Sequence, residues 1–148
     1  MVEPSFARRI EQMVRTYFQA CNDGDAAAVA ACFCPDAVHY FAGIPRWSGA
    51  AVIGDNFARR VRELGQCWSV DQLLVDGERG AATVEWTQFD RSSRVVRGVD
   101  WIVFEPNTAR IREVRPYLAV APDRDRARQE LRDFDYAGRG YPMNARSG

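Results

Sequence analysis

The sequence predicts an α+β domain: a curved antiparallel sheet forming a cone, with N-terminal helices packed on its concave face. Three observations carry that expectation. Segments with helical spacing dominate the first 65 residues, four strand-like segments then follow in unbroken succession, and short turns separate those strands. Short connections make neighbouring strands antiparallel.

Residues 5–22 give the clearest helix, because Phe6, Ile10, Met13, Val14, Tyr17, Phe18 and Cys21 recur at three- and four-residue steps. Asn22-Asp23-Gly24 ends it, and Asp25 can cap a shorter helix whose Val29, Cys32 and Phe33 face inward. Pro35-Asp36 turns the chain into a short strand over 37–41, and 43–47 is a loop containing Pro45. Ser48-Gly49 opens a third helix carrying Val52, Ile53, Phe57, Val61 and Leu64, which Gly65 closes. The four strands span 67–76, 80–90, 94–105 and 109–119. Residues 1–122 form the domain, and 123–148 add a C-terminal segment. In that segment 124–133 reads as a short helix with a solvated, arginine-rich face. The aromatics Phe134, Tyr136 and Tyr141 then either cap the mouth of the cone or dress a subunit boundary.

Composition narrows the function classes. The chain balances 20 basic against 20 acidic residues, which argues against a dedicated nucleic-acid or anionic-membrane surface. All the basic residues are arginine. The four cysteines lack paired CxxC spacing and His39 is the sole histidine, so neither a metal site nor a metal cofactor is expected. Buried free thiols are the better reading, and they fit a reducing cytoplasm. No signal peptide or membrane-spanning apolar run is evident. Gly138-Arg139-Gly140 lacks the strand–helix context of a nucleotide loop, so no cofactor is expected.

The chemistry concentrates on the strand over 94–105. At period two its inward face is Val96, Gly98, Asp100, Ile102 and Phe104, apolar apart from one carboxyl. A lone buried acid must find partners or hold its proton, so Asp100 is either a satisfied structural group or the centre of a site. Tyr17 lies inside the first apolar stripe, and its hydroxyl needs a partner. Trp86 shares a face with Ala82, Val84 and Gln88 and is expected to form a pocket wall. Phe41, Phe57, Val84, Ile102, Phe104, Val114 and Leu118 are further wall candidates that also suit a plain core. The opposite faces carry Glu85, Arg97, Trp101, Glu113, Arg115 and Tyr117. A large aromatic among charges suggests a homodimer through the outer sheet.

The run from Tyr17 to Asp25, then Phe33 to Val38, resembles the nuclear transport factor 2-like superfamily, and within it ketosteroid isomerases and SnoaL-like polyketide cyclases. Trp47-Ser48-Gly49 and the stretch Arg110 to Tyr117 fit the same pattern, so the resemblance spans roughly 6–119. It implies that Tyr17 and Asp100 stand where the isomerases hold an oxyanion, the acid being kept protonated by its apolar surroundings. The isomerase base corresponds here to Phe41, while His39 points to the same face two residues earlier. Limonene epoxide hydrolases, on the same scaffold, need an arginine between two aspartates. The matching positions are Thr83, Glu85 and Pro116, which does not support that chemistry.

The expected function is therefore proton transfer next to a carbonyl of a hydrophobic small molecule: isomerisation, cyclisation or dehydration. Asp100 and Tyr17 would hold the developing oxyanion and His39 would move the proton. Two alternatives come from other classes: a non-catalytic binding module for a hydrophobic metabolite, and a protein-interaction domain using the outer sheet.

Overall fold

The computed structural model describes residues 4–119 and 130–143. Three helices, α1 (Phe6–Asp23), α2 (Ala26–Ala31) and α3 (Ala50–Leu64), combine with six strands. The strands are β1 (Phe33–His39), β2 (Trp47–Ser48), β3 (Cys67–Asp76), β4 (Ala81–Phe89), β5 (Val95–Phe104) and β6 (Ile111–Ala119). The Ser5 side chain accepts from the Arg8 N–H to start α1, and Asp25 accepts from the Ala28 N–H to start α2.

The strands form one curved, unclosed sheet in the order β2-β1-β6-β5-β4-β3. From β3 to β6 each strand pairs antiparallel with the next, as the short turns require. β1 departs from the expectation of a wholly antiparallel sheet, because it lies parallel to β6. A short turn dictates direction only between the strands it joins. Between β1 and β6 run α3 and four further strands, enough chain to return to the same end, as parallel pairing needs. β1 also begins at Phe33 rather than at residue 37, and the expected loop contains β2, which pairs with β1.

The core lies between the concave face and the helices. Ile10, Val14, Tyr17 and Phe18 of α1 meet Val84, Ile102 and Val114 of the sheet, with Phe33, Ile53 and Phe57 completing the cluster. Val52 and Leu64 of α3 are exposed, so its buried stripe is narrower than the apolar residues alone suggest. A Cβ on Gly54 would run into the Ala26 carbonyl oxygen, so this glycine permits the close crossing of α2 and α3. Asn22 fixes the start of β3 against α1, donating to the Trp68 carbonyl at 2.8 Å and accepting from the Trp68 N–H at 2.7 Å. Cys21, Cys32 and Cys34 are buried thiols, but Cys67 is exposed, contrary to expectation. No helix among the described residues is long and apolar enough to cross a membrane.

The helix expected over 124–133 falls mostly outside the described residues. Its last residues are not helical: Leu131 makes an antiparallel bridge to Ala42, and the Arg132 N–H donates to the Phe41 carbonyl at 2.8 Å. The aromatic tail then folds onto the outer side of the sheet. Phe134 packs on Tyr40, Tyr136 and Tyr141, and the Tyr141 hydroxyl meets Arg115. No residue of 130–143 lines the mouth of the cone.

Candidate active site

A cavity of about 280 Å³ opens between the concave face and the helices. It is small for a ligand site and largely apolar. Tyr17, His39 and Asp100, far apart in sequence, all line it. Phe41, Phe57, Trp86 and Leu118 line it as well, together with Cys21, Arg60, Trp68 and Pro116, which sequence reasoning did not single out.

Asp100 is 4% exposed, and its partner is specific: the Trp86 indole N–H donates to Oδ1 at 2.8 Å. The geometry follows from strand register. Trp86 lies directly opposite Gly98, and a Cβ there would stand 2.5 Å from the indole ring. With only hydrogen at position 98, the ring can lie across β5 and bring its N–H to the carboxyl two residues further on. Desolvation raises the Asp100 pKa to about 7 against the lowering effect of the Trp86 bond. Because Oδ1 is held as an acceptor, a proton on this group belongs on Oδ2.

Tyr17 is held by edge-to-face contacts with Phe18 and Phe33, whose ring centroids lie 5.1 and 5.2 Å away. Burial pushes its hydroxyl well above the ordinary tyrosine value, and the nearby Cys21 and Asp100 add to the rise. The Cys21 thiol, also buried beside it, is pushed up in turn by burial.

His39 is 3% exposed and stacks on Phe41 at 4.4 Å. Its Nδ1 lies 3.0 Å from the Tyr40 carbonyl oxygen, an atom that can only accept, so Nδ1 carries the hydrogen and Nε2 is left as the acceptor. Burial lowers its pKa to about 3, opposed by the Tyr40 bond and assisted by the positive charge of Arg60. The imidazole is therefore neutral at ordinary pH.

Arg60 stands three residues after Phe57, on the inward side of α3. Its guanidinium lies 5.0 Å from the Trp47 ring and 5.8 Å from the Phe41 ring. A charge placed one turn from a buried phenylalanine was the available sequence signal for it.

Four expected wall residues are not at the cavity. Val84, Ile102, Phe104 and Val114 are almost wholly buried and belong to the core. They do share the concave face, but they lie on its filled end, which starts at Val84 opposite Asp100 and runs on to Ile102, Val114 and Phe104. Period two identifies a face; it says nothing about how far along that face the packing is complete.

A wider hollow of about 720 Å³ lies elsewhere, lined by Cys34, Asp36, Glu105, Arg110, Arg112 and Glu113. Its walls mix charges of both signs and include none of Tyr17, His39 and Asp100, so the smaller, apolar cavity is the better candidate. Among the described residues no group of three or more His, Cys, Asp or Glu could hold a metal ion.

Residues 14–114 match the family model of the SnoaL-like domain. No curated protein matches the sequence. A solved structure from Methylobium petroleophilum PM1, a protein of unknown function with a cystatin-like fold, is 38% identical with a TM-score of 0.92, over 98% of this chain and 99% of that one. An NTF2-like protein of unknown function from Cytophaga hutchinsonii is 10% identical with a TM-score of 0.63, over 80% and 94% of the two chains. A candidate polyketide cyclase from Sinorhizobium meliloti is 22% identical with a TM-score of 0.62, over 72% and 94%. The last two likenesses speak to the fold.

Proposed function

The chain belongs to the SnoaL-like domain family, and from that premise we propose that it is a small-molecule enzyme moving a proton next to a carbonyl, of cyclase or isomerase type. The observation that carries this reading is Asp100: a buried carboxyl, oriented by Trp86 and facing an apolar cavity, with its pKa raised to about 7 by desolvation. An acid tuned to neutral pH suits proton transfer, and its protonated form can donate to an oxygen that becomes negative during reaction. Asp100 Oδ2–H and the Tyr17 hydroxyl would serve the carbonyl oxygen. As charge builds there, the C–H beside the carbonyl gives its proton to His39 Nε2, and the same proton returns at the product carbon. Membership of the SnoaL-like family supports the reaction class.

The test is binding of fluorescent naphthols and phenols from pH 5 to 9. Wild type is expected to bind, and Asp100→Leu to lose most of the affinity. Binding indifferent to Asp100 would make the acid structural and end this reading.

A second reading, a non-catalytic binding module, is favoured by one observation. Burial lowers His39 to about 3, which makes it a weak base, and by the resemblance Phe41 stands where ketosteroid isomerases carry theirs. Once a turned-over substrate is found, His39→Ala decides: loss of turnover with retained affinity supports catalysis. For a pure binder Trp86 and Phe41 matter and His39 does not. A homodimer or protein partner on the outer sheet would use the exposed Leu74, Phe89, Val95 and Tyr117 around Trp101. Loss of assembly in Trp101→Glu, read by sedimentation, tests that surface.

A further inference from the structure

Arg60 is the charged group that the proton-transfer reading leaves unused. Its guanidinium faces the cavity over Phe41 and Trp47, yet among the described residues no carboxylate pairs with it and no hydrogen-bond acceptor meets it. Burial and the neighbouring Arg59 already disfavour its charge, yet a guanidinium stays cationic in proteins. Among the described residues this half-buried cation has no counter-charge.

The rest of the cavity adds no stable charge. His39 is neutral, and Asp100 is protonated or half-ionised near neutral pH. The two polar ends are also distinct. Arg60 reaches in from α3 over Phe41 and Trp47, whereas Asp100 is held on β5 by the Trp86 indole. Phe57, Trp68, Trp86 and Leu118 also line the cavity.

We propose that the substrate is an apolar monocarboxylate bearing a carbonyl: its carboxylate pairs with Arg60 at one end while the carbonyl oxygen meets Asp100 and Tyr17 at the other. This rests on the reading of the cavity as a proton-transfer site and names the substrate class it takes. One guanidinium neutralises one negative charge, and a dianion would carry an uncompensated charge into an apolar cavity. A planar fork matches a carboxylate, and aromatic rings behind it keep it in place. The ligand's negative charge would also favour the protonated form of Asp100, the form that donates.

The test is calorimetric titration of the intact chain at pH 7 with three probes of similar shape: 2-naphthoate, 2-naphthamide and 2-naphthol. For wild type, naphthoate is expected to bind about ten times more tightly than naphthamide, or better, as a charge-assisted pair at a partly desolvated site allows. That preference should shrink as salt is raised. In Arg60→Gln it should vanish, and in Arg60→Lys it should survive in part. Equal binding of naphthoate and naphthamide by wild type would overturn the carboxylate inference, and naphthol binding would then leave the cavity reading standing. Failure of all three probes would remove both.

Discussion

Two arginines of this chain sit over pairs of aromatic rings on opposite sides of one sheet, and they are in different electrostatic conditions. On the outer side Arg115 lies 5.6 Å from Trp101 and 5.2 Å from Phe134, with Nε 3.0 Å from a Glu113 carboxylate oxygen. The angle at Nε is too poor for a hydrogen bond, so that contact is an ion pair, while Nη1 donates to the Tyr141 hydroxyl at 2.8 Å. Arg139 completes the group, binding Glu113 through both nitrogens at 2.9 and 2.7 Å and covering Phe134 at 4.3 Å. On the inner side Arg60 has rings of the same kind and, among the described residues, no anion. Aromatic company therefore does not tell a structural arginine from a ligand-facing one. What tells them apart is whether the chain supplies the counter-charge itself.

The strongest way to break this comparison is to remove the outer anion. Glu113→Ala leaves a largely buried Arg115 unpaired and undocks Arg139. Unfolding by urea should show a loss of about 3 kcal/mol, in the range for breaking a buried pair. A loss below about 1 kcal/mol, typical of exposed pairs, would mean that the outer cluster is solvated and no different in kind from Arg60.

Next in size is Gly98→Ala. The added methyl must displace the Trp86 ring, and overpacking of this kind costs about 2 kcal/mol. The same change should move the indole off Asp100 and reduce naphthol affinity. An unchanged urea midpoint together with unchanged affinity would show that the ring does not need that space.

The inner side should also respond to pH, through two opposed slopes. Asp100 holds its proton more tightly folded than unfolded, so its contribution to stability falls as pH rises from about 3.9 toward the folded value of about 7. His39 is the reverse: the unfolded chain takes its proton below about 6.5 while the folded one resists to about 3, so stability is lost as pH falls through that window. Each slope approaches 1.4 kcal/mol per pH unit, roughly, and the two nearly cancel where they overlap in wild type. Asp100→Asn should leave a stability that rises with pH across that overlap, and His39→Gln one that falls. Urea unfolding at several pH values reads both, and parallel profiles in the two variants would refute the assignment.

The smallest effect belongs to Arg60→Gln, whose stability should change by less than about 0.5 kcal/mol, because no charged partner among the described residues is lost. A loss near that of Glu113→Ala would reveal a structural role and close the gap between the two arginines.

Much of this molecule was legible in residue order, because its signals are local. The stripe from Phe6 to Cys21, the cap at Asp25, the glycine stops and the turns between the last four strands depend on neighbours within about four positions. Alternation along β5 likewise placed Asp100 on the concave face, and the resemblance singled out Tyr17. Depth along that face was not legible. Val84 and Ile102 read no differently from Leu118, although two are sealed in the core and one lines the cavity. Nor could residue order reveal that Gly98 makes room for Trp86, that β1 joins β6 in parallel, or that the tail covers Arg115 instead of the cavity mouth. Those outcomes depend on contacts between segments distant in sequence, where packing and desolvation are set by the whole chain at once. By itself the sequence determined the elements, the faces and the lone buried acid. The tertiary structure decided which polar groups found partners and which, like Arg60, were left facing the cavity, because pairing and burial are properties of an assembled interior.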